Sequence, residues 1–488
     1  MIKDIEQNDF AGYSKSAKFQ LFALFFFLGV LNHLGTILVM TGGRLLTIEL
    51  NMKPYVTLYT SVATIFSIIT RIINSKLCLK VSYKTRVIII CFWMMSGYFS
   101  MFLVLTLHNS ILNEYDILCF ILSFIPCFFL GSSYAFGESA MVAYLRLFPK
   151  ILIGAWSSGT GVSAIISGGL NLLTQLLNGL PLKFLYLILI PVGFLYLFLF
   201  LWTFKLLKKD QDSLIEKIIN EDIEQIEEDK RENNNNEDNI NNDYKIIDDE
   251  KNNINNTNDS ANNTDKINQK NEKEKTEELK DKKAMKEMNK QNKTFSLLHF
   301  MDVMKMCGRV IINLGIIYFI QFICVNAVII RNSNKIDIPF LPISKSDDNK
   351  LIRKGKYEFV NMFYQLSIFT SKTFIKIVRK IQPIEIYTIS ITIITIIYFI
   401  EYYTGFLPWW SFPIINYILG CFSGGTYSGG FYIILHSDQV ELDYKELTVN
   451  IATLFNDTGT FLSGLVGYLI FNYIINSDKP FDGQELKE

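Results

Sequence analysis

The sequence predicts an all-α polytopic membrane protein with about eleven transmembrane helices in two lobes. Three observations predict it. Half of the 488 residues are apolar, and they gather in runs of about 20, the length an α-helix needs to cross a ~30 Å hydrocarbon core. Nearly all the charge falls between those runs or in one central block. That block follows the sixth run and precedes the seventh. It divides the chain into an N-terminal lobe at 1–207, a linker at 208–297 and a C-terminal lobe at 298–488.

The first run, 19–41, follows lysines and so resembles a secretory leader. It is too long for one, contains Asn32-His33 and lacks an A-x-A-like cleavage site, which makes it a retained first helix. Runs two to six lie at 55–73, 87–107, 116–137, 152–176 and 184–206. Runs seven to eleven lie at 308–330, 358–376, 384–404, 409–435 and 451–474. The fourth could continue past Glu138 toward Leu147, which would set that carboxylate deeper in the membrane. The linker is rich in Asn, Lys, Glu and Asp and almost free of aromatic residues. It cannot bury a core and is expected to be disordered.

Lys and Arg in short loops set the orientation. The loops after spans two, four and eight carry Lys76, Lys80, Lys84 and Arg86, then Arg146 and Lys150, then Arg379 and Lys380. The loops near 108–115 and 405–408 carry none. The N-terminus and the linker are therefore placed in the cytosol. With eleven spans the C-terminus is lumenal; a missed or re-entrant span would reverse that. One stretch disagrees: 331–356 holds Arg331, Lys335, Lys345, Lys350, Arg353, Lys354 and Lys356, yet alternation makes it lumenal.

Composition narrows the function. Net charge is zero, so nucleic acid is not an evident partner. The seven cysteines are scattered, mostly inside apolar runs, and form no C-x-x-C pair, so they read as small core residues. No cofactor or metal is expected. The four histidines are far apart, and no H-E-x-x-H or G-x-S-x-G arrangement exists, so an enzyme is not expected. Nothing resembles an ATP-binding loop, which leaves a gradient as the source of energy.

The most informative stretch runs from Phe136 to Gln175. It is membrane-length and apolar, yet Glu138 interrupts it, and Trp156-Ser157-Ser158-Gly159-Thr160-Gly161 opens the next span. Such residues should face protein or a water-filled cavity rather than lipid, which points to a path for a polar solute. Read in order, Gly137-Glu138, Phe148-Pro149-Lys150 and Trp156 to Gly161 resemble the motif of the battenin family of lysosomal or vacuolar membrane proteins. A second match is Asn456-Asp457-Thr458-Gly459 with Leu462-Ser463-Gly464-Leu465, and a third is Met362-Phe363-Tyr364-Gln365 with Phe369-Thr370-Ser371-Lys372.

The resemblance implies a major-facilitator-like fold with a shortened second lobe, in which solute binds near the midplane between related lobes. It implies glycerophosphodiesters such as glycerophosphoglycerol as solutes, with basic amino acids as the older proposal, and a lysosomal or vacuolar membrane as the location. His33 stands where battenins usually have a second asparagine, Gly429 where they tend to have an asparagine, and Glu358 where they often have an arginine. The ending Glu485-Leu486-Lys487-Glu488 contains no cysteine and is not a prenylation box.

The candidate site residues follow. Asn32 and His33 lie midway along span one and must contact another helix or a solute; an interhelical clamp is the structural alternative. Glu138 is the candidate coupling or solute-orienting carboxylate, or else it pairs with Arg146 or Lys150 to fix a gate. Trp156, Ser157, Ser158 and Thr160 offer donors near a helix N-terminus, which favours anions; small-residue packing competes with that reading. Tyr427 sits in the Gly- and Ser-rich stretch 420–430 of span ten, a segment expected to bend or to pack closely. Asp457 is the second intramembrane carboxylate, with a helix N-cap as the alternative. Lys372 either attracts an anionic solute or snorkels to the interface. In the linker, Asp210, Leu214 and Ile215 fit an acidic dileucine signal through which sorting adaptors could act.

The leading expectation is thus a secondary transporter for a small polar or anionic solute, embedded in the lipid bilayer. A non-transporting trafficking scaffold acting through the linker is the second, and an intramembrane enzyme stands far behind both.

Overall fold

The computed structural model describes residues 15–77, 81–110, 114–145, 148, 151–176, 181–206, 297–345, 351–374, 383–436, 440 and 444–475. The linker with Asp210, Leu214 and Ile215, and the basic residues Arg146, Lys150, Arg379 and Lys380, lie outside them. Contacts divide the chain into two units, Met1–Thr203 with Asn292–Glu488, and Phe204–Gln291. The two sets of apolar runs belong almost wholly to the first.

The first half forms α1 (Lys15–Thr41), a short α2 (Gly43–Glu49), α3 (Leu58–Leu77), α4 (Tyr83–Ser110), α5 (Asp116–Leu122), α6 (Phe124–Leu145), α7 (Ile151–Leu176), α8 (Leu182–Leu189) and α9 (192–206). The second forms α10 (Leu297–Ile323), one wider π turn (Cys324–Val328), α11 (Ile329–Lys335), α12 (Lys356–Thr373), α13 (Glu385–Thr404), α14 (Ser411–His436) and α15 (Lys445–Leu469). A second π turn, Ile470–Ile474, ends α15. A two-stranded antiparallel hairpin, β1 (Ile343–Lys345) on β2 (Leu351–Arg353), interrupts the otherwise helical fold, with Ile343 opposite Arg353.

Every predicted apolar run falls on a helix or on a broken pair. Among the described residues, six stretches are long and apolar enough to cross a membrane by length and composition: Ser16–Thr41, Tyr83–Ser110, Asp116–Val142, Leu182–Leu206, Leu298–Ser333 and Glu385–Thr404. The others, α3, α7, α12, α14 and α15, are diluted by polar and small residues on their buried faces. In α3 these recur as Thr60, Thr64, Ser67, Arg71 and Asn74, all buried, at helical spacing, while Ile69, Ile72 and Ile73 are exposed. This reverses the soluble pattern, as expected where the outside is lipid. α13 shows the same outer face: Ile386, Ile389, Ile393, Ile396 and Ile400 are exposed, and Tyr387, Ile391 and Tyr398 are buried. Gly405, at φ 64°, closes α13 by donating its N–H to the Glu401 carbonyl at 2.8 Å.

Helix boundaries depart from the predicted ones where the chain leaves hydrocarbon, because hydropathy marks the lipid core and not the helix. Two departures matter. α7 starts at Ile151, so Trp156 is its sixth residue and the cluster 156–161 lies inside the helix rather than at its N-terminus. Its backbone N–H groups are spent on the helix, and the anion-binding helix end expected there is not formed. α15 starts at Lys445, six residues before the predicted 451, so Asp457 is helix-interior and cannot be an N-cap.

Packing repeats between the halves. α1 packs on α7 as α10 packs on α15, and α3 packs on α6 as α12 packs on α14. Each partner lies six spans further along the chain. The halves meet along two seams, α7 against α12 and α3 against α15. Close approach needs glycine at the α1–α7 crossing. A Cβ on Gly159 would strike the Phe26 carbonyl and lie 3.1 Å from Val30 N, and one on Gly29 would strike the Trp156 carbonyl. Gly159→Val is expected to destabilise the fold by about 1–3 kcal/mol through overpacking, read as a lowered Tm of the purified protein in detergent. An unchanged Tm would mean that the two helices do not pack this tightly.

Lys350 of the basic stretch lies outside the described residues, and four of the other cations sit in the folded body. Arg331 donates to the Phe471 carbonyl at 3.0 Å and lies over that ring, and Lys335 donates to the Tyr402 carbonyl. Arg353 pairs with Asp337 at 2.5 Å and donates to the carbonyls of Pro339 and Leu341. Lys356 is buried at the start of α12. Four of the seven cations are thereby held in packed structure, rather than in the short flexible loop that the rule describes.

Candidate solute site between the two halves

Arg71 is the centre of the site. It sits on the polar stripe of α3, 3% exposed. Its Nη2 donates to Glu138 Oε2 on α6 at 2.6 Å, and its Nε donates to Asp457 Oδ2 on α15 at 2.6 Å. Nη1 reaches Ser139 Oγ at 3.4 Å, and the guanidinium lies 5.5 Å from the centre of the Tyr134 ring. A guanidinium offers five donors in a fixed fork, which suits two carboxylates at once. Both carboxylates are buried, so each needs such a partner.

Glu138 is satisfied further. Tyr427 on α14 donates its hydroxyl to Oε1 at 2.5 Å, and His33 Nε2 lies 3.8 Å from the same oxygen. The His33 ring meets Tyr134 edge-on at 4.7 Å and has Asn32 Nδ2 at 3.4 Å from Nδ1. Lys372, near the end of α12, does not snorkel. It is 9% exposed, donates to Thr160 Oγ1 on α7 at 2.9 Å, and stands 4.2 Å above the Tyr427 ring. Its ammonium has no carboxylate within 4.0 Å among the described residues.

These groups surround a cavity of about 110 Å³, room for several waters or a small solute, since one water needs roughly 10–15 Å³. His33, Thr160, Lys372, Tyr427 and Asp457 line it, with Tyr134, Tyr318, Tyr364, Gln321, Gln365 and Ser423. Gln321 is buried, and its Oε1 accepts no hydrogen bond among the described residues. Lys372 and Thr160 stand at one end, and Thr41 and Tyr357 line the other. Beyond that second end Arg44 pairs with Glu358 at 3.0 Å, joining α2 to α12. Glu358 lies fourteen positions before Lys372 on α12, roughly 21 Å along the axis.

Not every sequence candidate lines the cavity. Glu138 lies behind it, held by Arg71 and Tyr427. Asn32 is turned into the α1–α6 contact, where Nδ2 donates to the Tyr134 carbonyl at 3.2 Å and Oδ1 fills the space that a Cβ on Gly137 would take. Trp156, Ser157 and Ser158 are buried and absent from the lining, and Thr160 alone of that cluster faces the cavity. Arg146 and Lys150, the alternative partners of Glu138, lie outside the described residues. Sequence reasoning missed Arg71 because it was the last polar residue of a run taken to end at 73. The signal was present: an arginine within an apolar segment, in phase with Thr60, Thr64 and Ser67.

A family model described as CLN3 protein matches residues 23–477. The chain belongs to the CLN3 protein family. Among its members, Battenin of Dictyostelium discoideum is 23% identical over 459 residues, which cover 93% of this chain and 95% of that protein. The CLN3-family chain also resembles solved transporters in fold. A D-xylose–proton symporter superposes with a TM-score of 0.52 at 10% identity, covering 92% of this chain and 89% of that one. A POT family transporter in complex with 5-aminolevulinic acid gives a TM-score of 0.51 at 13% identity, covering 94% and 91%. At such identities the likeness shows the shared fold alone. The CLN3-family membrane protein therefore shares the helical fold of these transporters.

Proposed function

We propose that this protein is a secondary transporter of a lysosomal or vacuolar membrane, exporting small polar solutes such as glycerophosphodiesters by alternating access. Its N-terminus and central linker face the cytosol in this reading. The observation that carries it is the polar cavity between the halves, with Lys372 buried at one end and no carboxylate within 4.0 Å of its ammonium among the described residues. A buried ammonium favours an anionic group. Unpaired Gln321 and the surrounding tyrosine and threonine hydroxyls suit the hydroxyls of a polyol. Both carboxylates of the site are engaged by Arg71, which argues against basic amino acids as the solute.

Polar links cross between the halves around the cavity, among them Arg71 to Asp457, Tyr427 to Glu138 and Lys372 to Thr160. Alternating access requires such links to break and re-form.

The test is the metabolite content of purified acidic vacuoles with and without the protein. Glycerophosphodiesters are expected to accumulate in its absence and to fall on re-expression of wild type, while Glu138→Gln does not restore them. Unchanged levels would sink the proposed solute. Deleting 216–290 from the linker is expected to leave flux intact; loss of the phenotype on that deletion, with flux retained, would favour a scaffold acting through the linker.

A further inference from the structure

The two carboxylates on Arg71 are not equivalent. Glu138 comes from α6, in the same half as Arg71, lies behind the cavity wall and keeps Tyr427 and His33 as neighbours. Asp457 comes from α15, in the other half, and lines the cavity. Arg71 is its only side-chain hydrogen-bond donor among the described residues.

Formal charges at the site cancel. Arg71 and Lys372 supply two positive charges and Glu138 and Asp457 two negative ones, with His33 neutral. Uncompensated charge is what a buried site resists. A monoanion that enters alone leaves the site with a net negative charge, and one that enters with a proton leaves it neutral.

We infer that Asp457 is an internal stand-in for the solute anion: one proton and one monoanion load together, the proton neutralising Asp457 and the anionic group taking its place on Arg71 within reach of Lys372. This rests on the transporter reading above. The proton joins an Asp457 carboxylate oxygen from the side on which the solute enters, leaves with the solute on the other, and nothing else is consumed. The exchange also breaks the Arg71–Asp457 bond that ties α3 to α15, so loading loosens a seam along which the halves must part. The charged and titratable groups around Asp457 are Arg71 from α3, Glu138 and Tyr134 from α6 and Tyr318 from α10, and His33 from α1, Tyr427 from α14 and Lys372 from α12 line the same cavity. Of these, His33 could also gain a proton, so His33→Gln is included below.

The test uses the full chain in phosphatidylcholine vesicles with glycerophosphoglycerol, a phosphodiester monoanion, as probe. For wild type, a pH gradient drives accumulation and an imposed membrane potential does not, because one proton with one monoanion carries no net charge. Potential-driven accumulation overturns the inference, and this measurement needs no variant to fold. Asp457→Asn is expected to lose gradient-driven accumulation and to bind the probe at neutral pH about tenfold more tightly than wild type, a change of ~1.4 kcal/mol. His33 lines the cavity, so His33→Gln is read by its response to pH alone: whatever accumulation it retains is expected still to follow the pH gradient. Proton-driven accumulation that persists in Asp457→Asn, or accumulation in His33→Gln that no longer follows the pH gradient, overturns it. Wild-type exchange that ignores protons overturns this inference and leaves the transporter reading standing; no wild-type exchange of the probe overturns both.

Discussion

Arg71→Met should be the most damaging single substitution in this protein, lowering stability by about 3–5 kcal/mol, the usual effect of removing one partner from a buried ion pair. The reason is the pair it leaves behind. Glu138 and Asp457 would share a buried site with no guanidinium between them, and Asp457 would have no side-chain donor among the described residues. Methionine keeps much of the stem volume, so the loss reports charge rather than a cavity. The combined change Arg71→Met, Glu138→Gln and Asp457→Asn removes the stranded charges and should regain most of the lost stability, since well-packed neutral replacements of buried ion pairs are often tolerated. Thermal unfolding of the purified variants in detergent measures both. An Arg71→Met protein as stable as wild type, or a combined variant no better than the single one, would remove the three-residue ion pair from the account of how the halves are held.

Replacing Lys372 should have the largest effect on solute. Lys372→Met is expected to weaken binding of a monoanionic phosphodiester by about ten- to a hundredfold, ~1.4–2.8 kcal/mol, because it deletes a buried cation with no carboxylate within 4.0 Å among the described residues. Lys372→Arg retains the charge and should recover part of the affinity. Equilibrium binding to the detergent-solubilised protein provides the readout. Equal affinity in wild type and Lys372→Met would show that the ammonium serves the α7–α12 contact through Thr160 and not the solute.

Much of the fold was legible because lipid imposes a simple demand. Backbone groups must be satisfied within each segment, so runs of about 20 apolar residues reported the helices directly. The spans built from polar stripes were found for the same reason, since enough apolar residues remain on their outer faces. Helix ends were less legible. The start of α15 at Lys445 is set by hydrogen bonding through polar sequence, which hydropathy does not see, and Asp457 was consequently taken as a possible cap. The site was legible in its parts. Glu138, Lys372 and Asp457 stood out as charges in or beside apolar runs, and Tyr427 as part of a Gly- and Ser-rich stretch, yet nothing in a linear pattern says that α3, α6, α14 and α15 converge. Asn32, Trp156, Ser157 and Ser158 carried the same polar or small-residue signal and proved to sit in helix contacts, because such residues serve close packing as well as they serve solutes. Glu358 finds its partner in Arg44 of α2, 314 positions away, a pairing no linear pattern shows.

The wide turn at Cys324–Val328 has a consequence for how one long helix can serve two purposes. Each residue of an α-helix advances the angular phase by about 100°, and a π turn absorbs one extra residue. Before it, Tyr318, Gln321 and Phe322 are indexed toward the cavity. Within it, Asn326 reaches Thr60 at 2.9 Å. After it, Arg331 and Asn332 grip the carbonyls of Phe471 and Tyr398 at 3.0 and 2.9 Å. In a helix of uniform pitch, one of these two sets would be rotated out of register. The turn thus works as a phase shifter, giving the cavity wall and the anchored end of the rod separate angular settings.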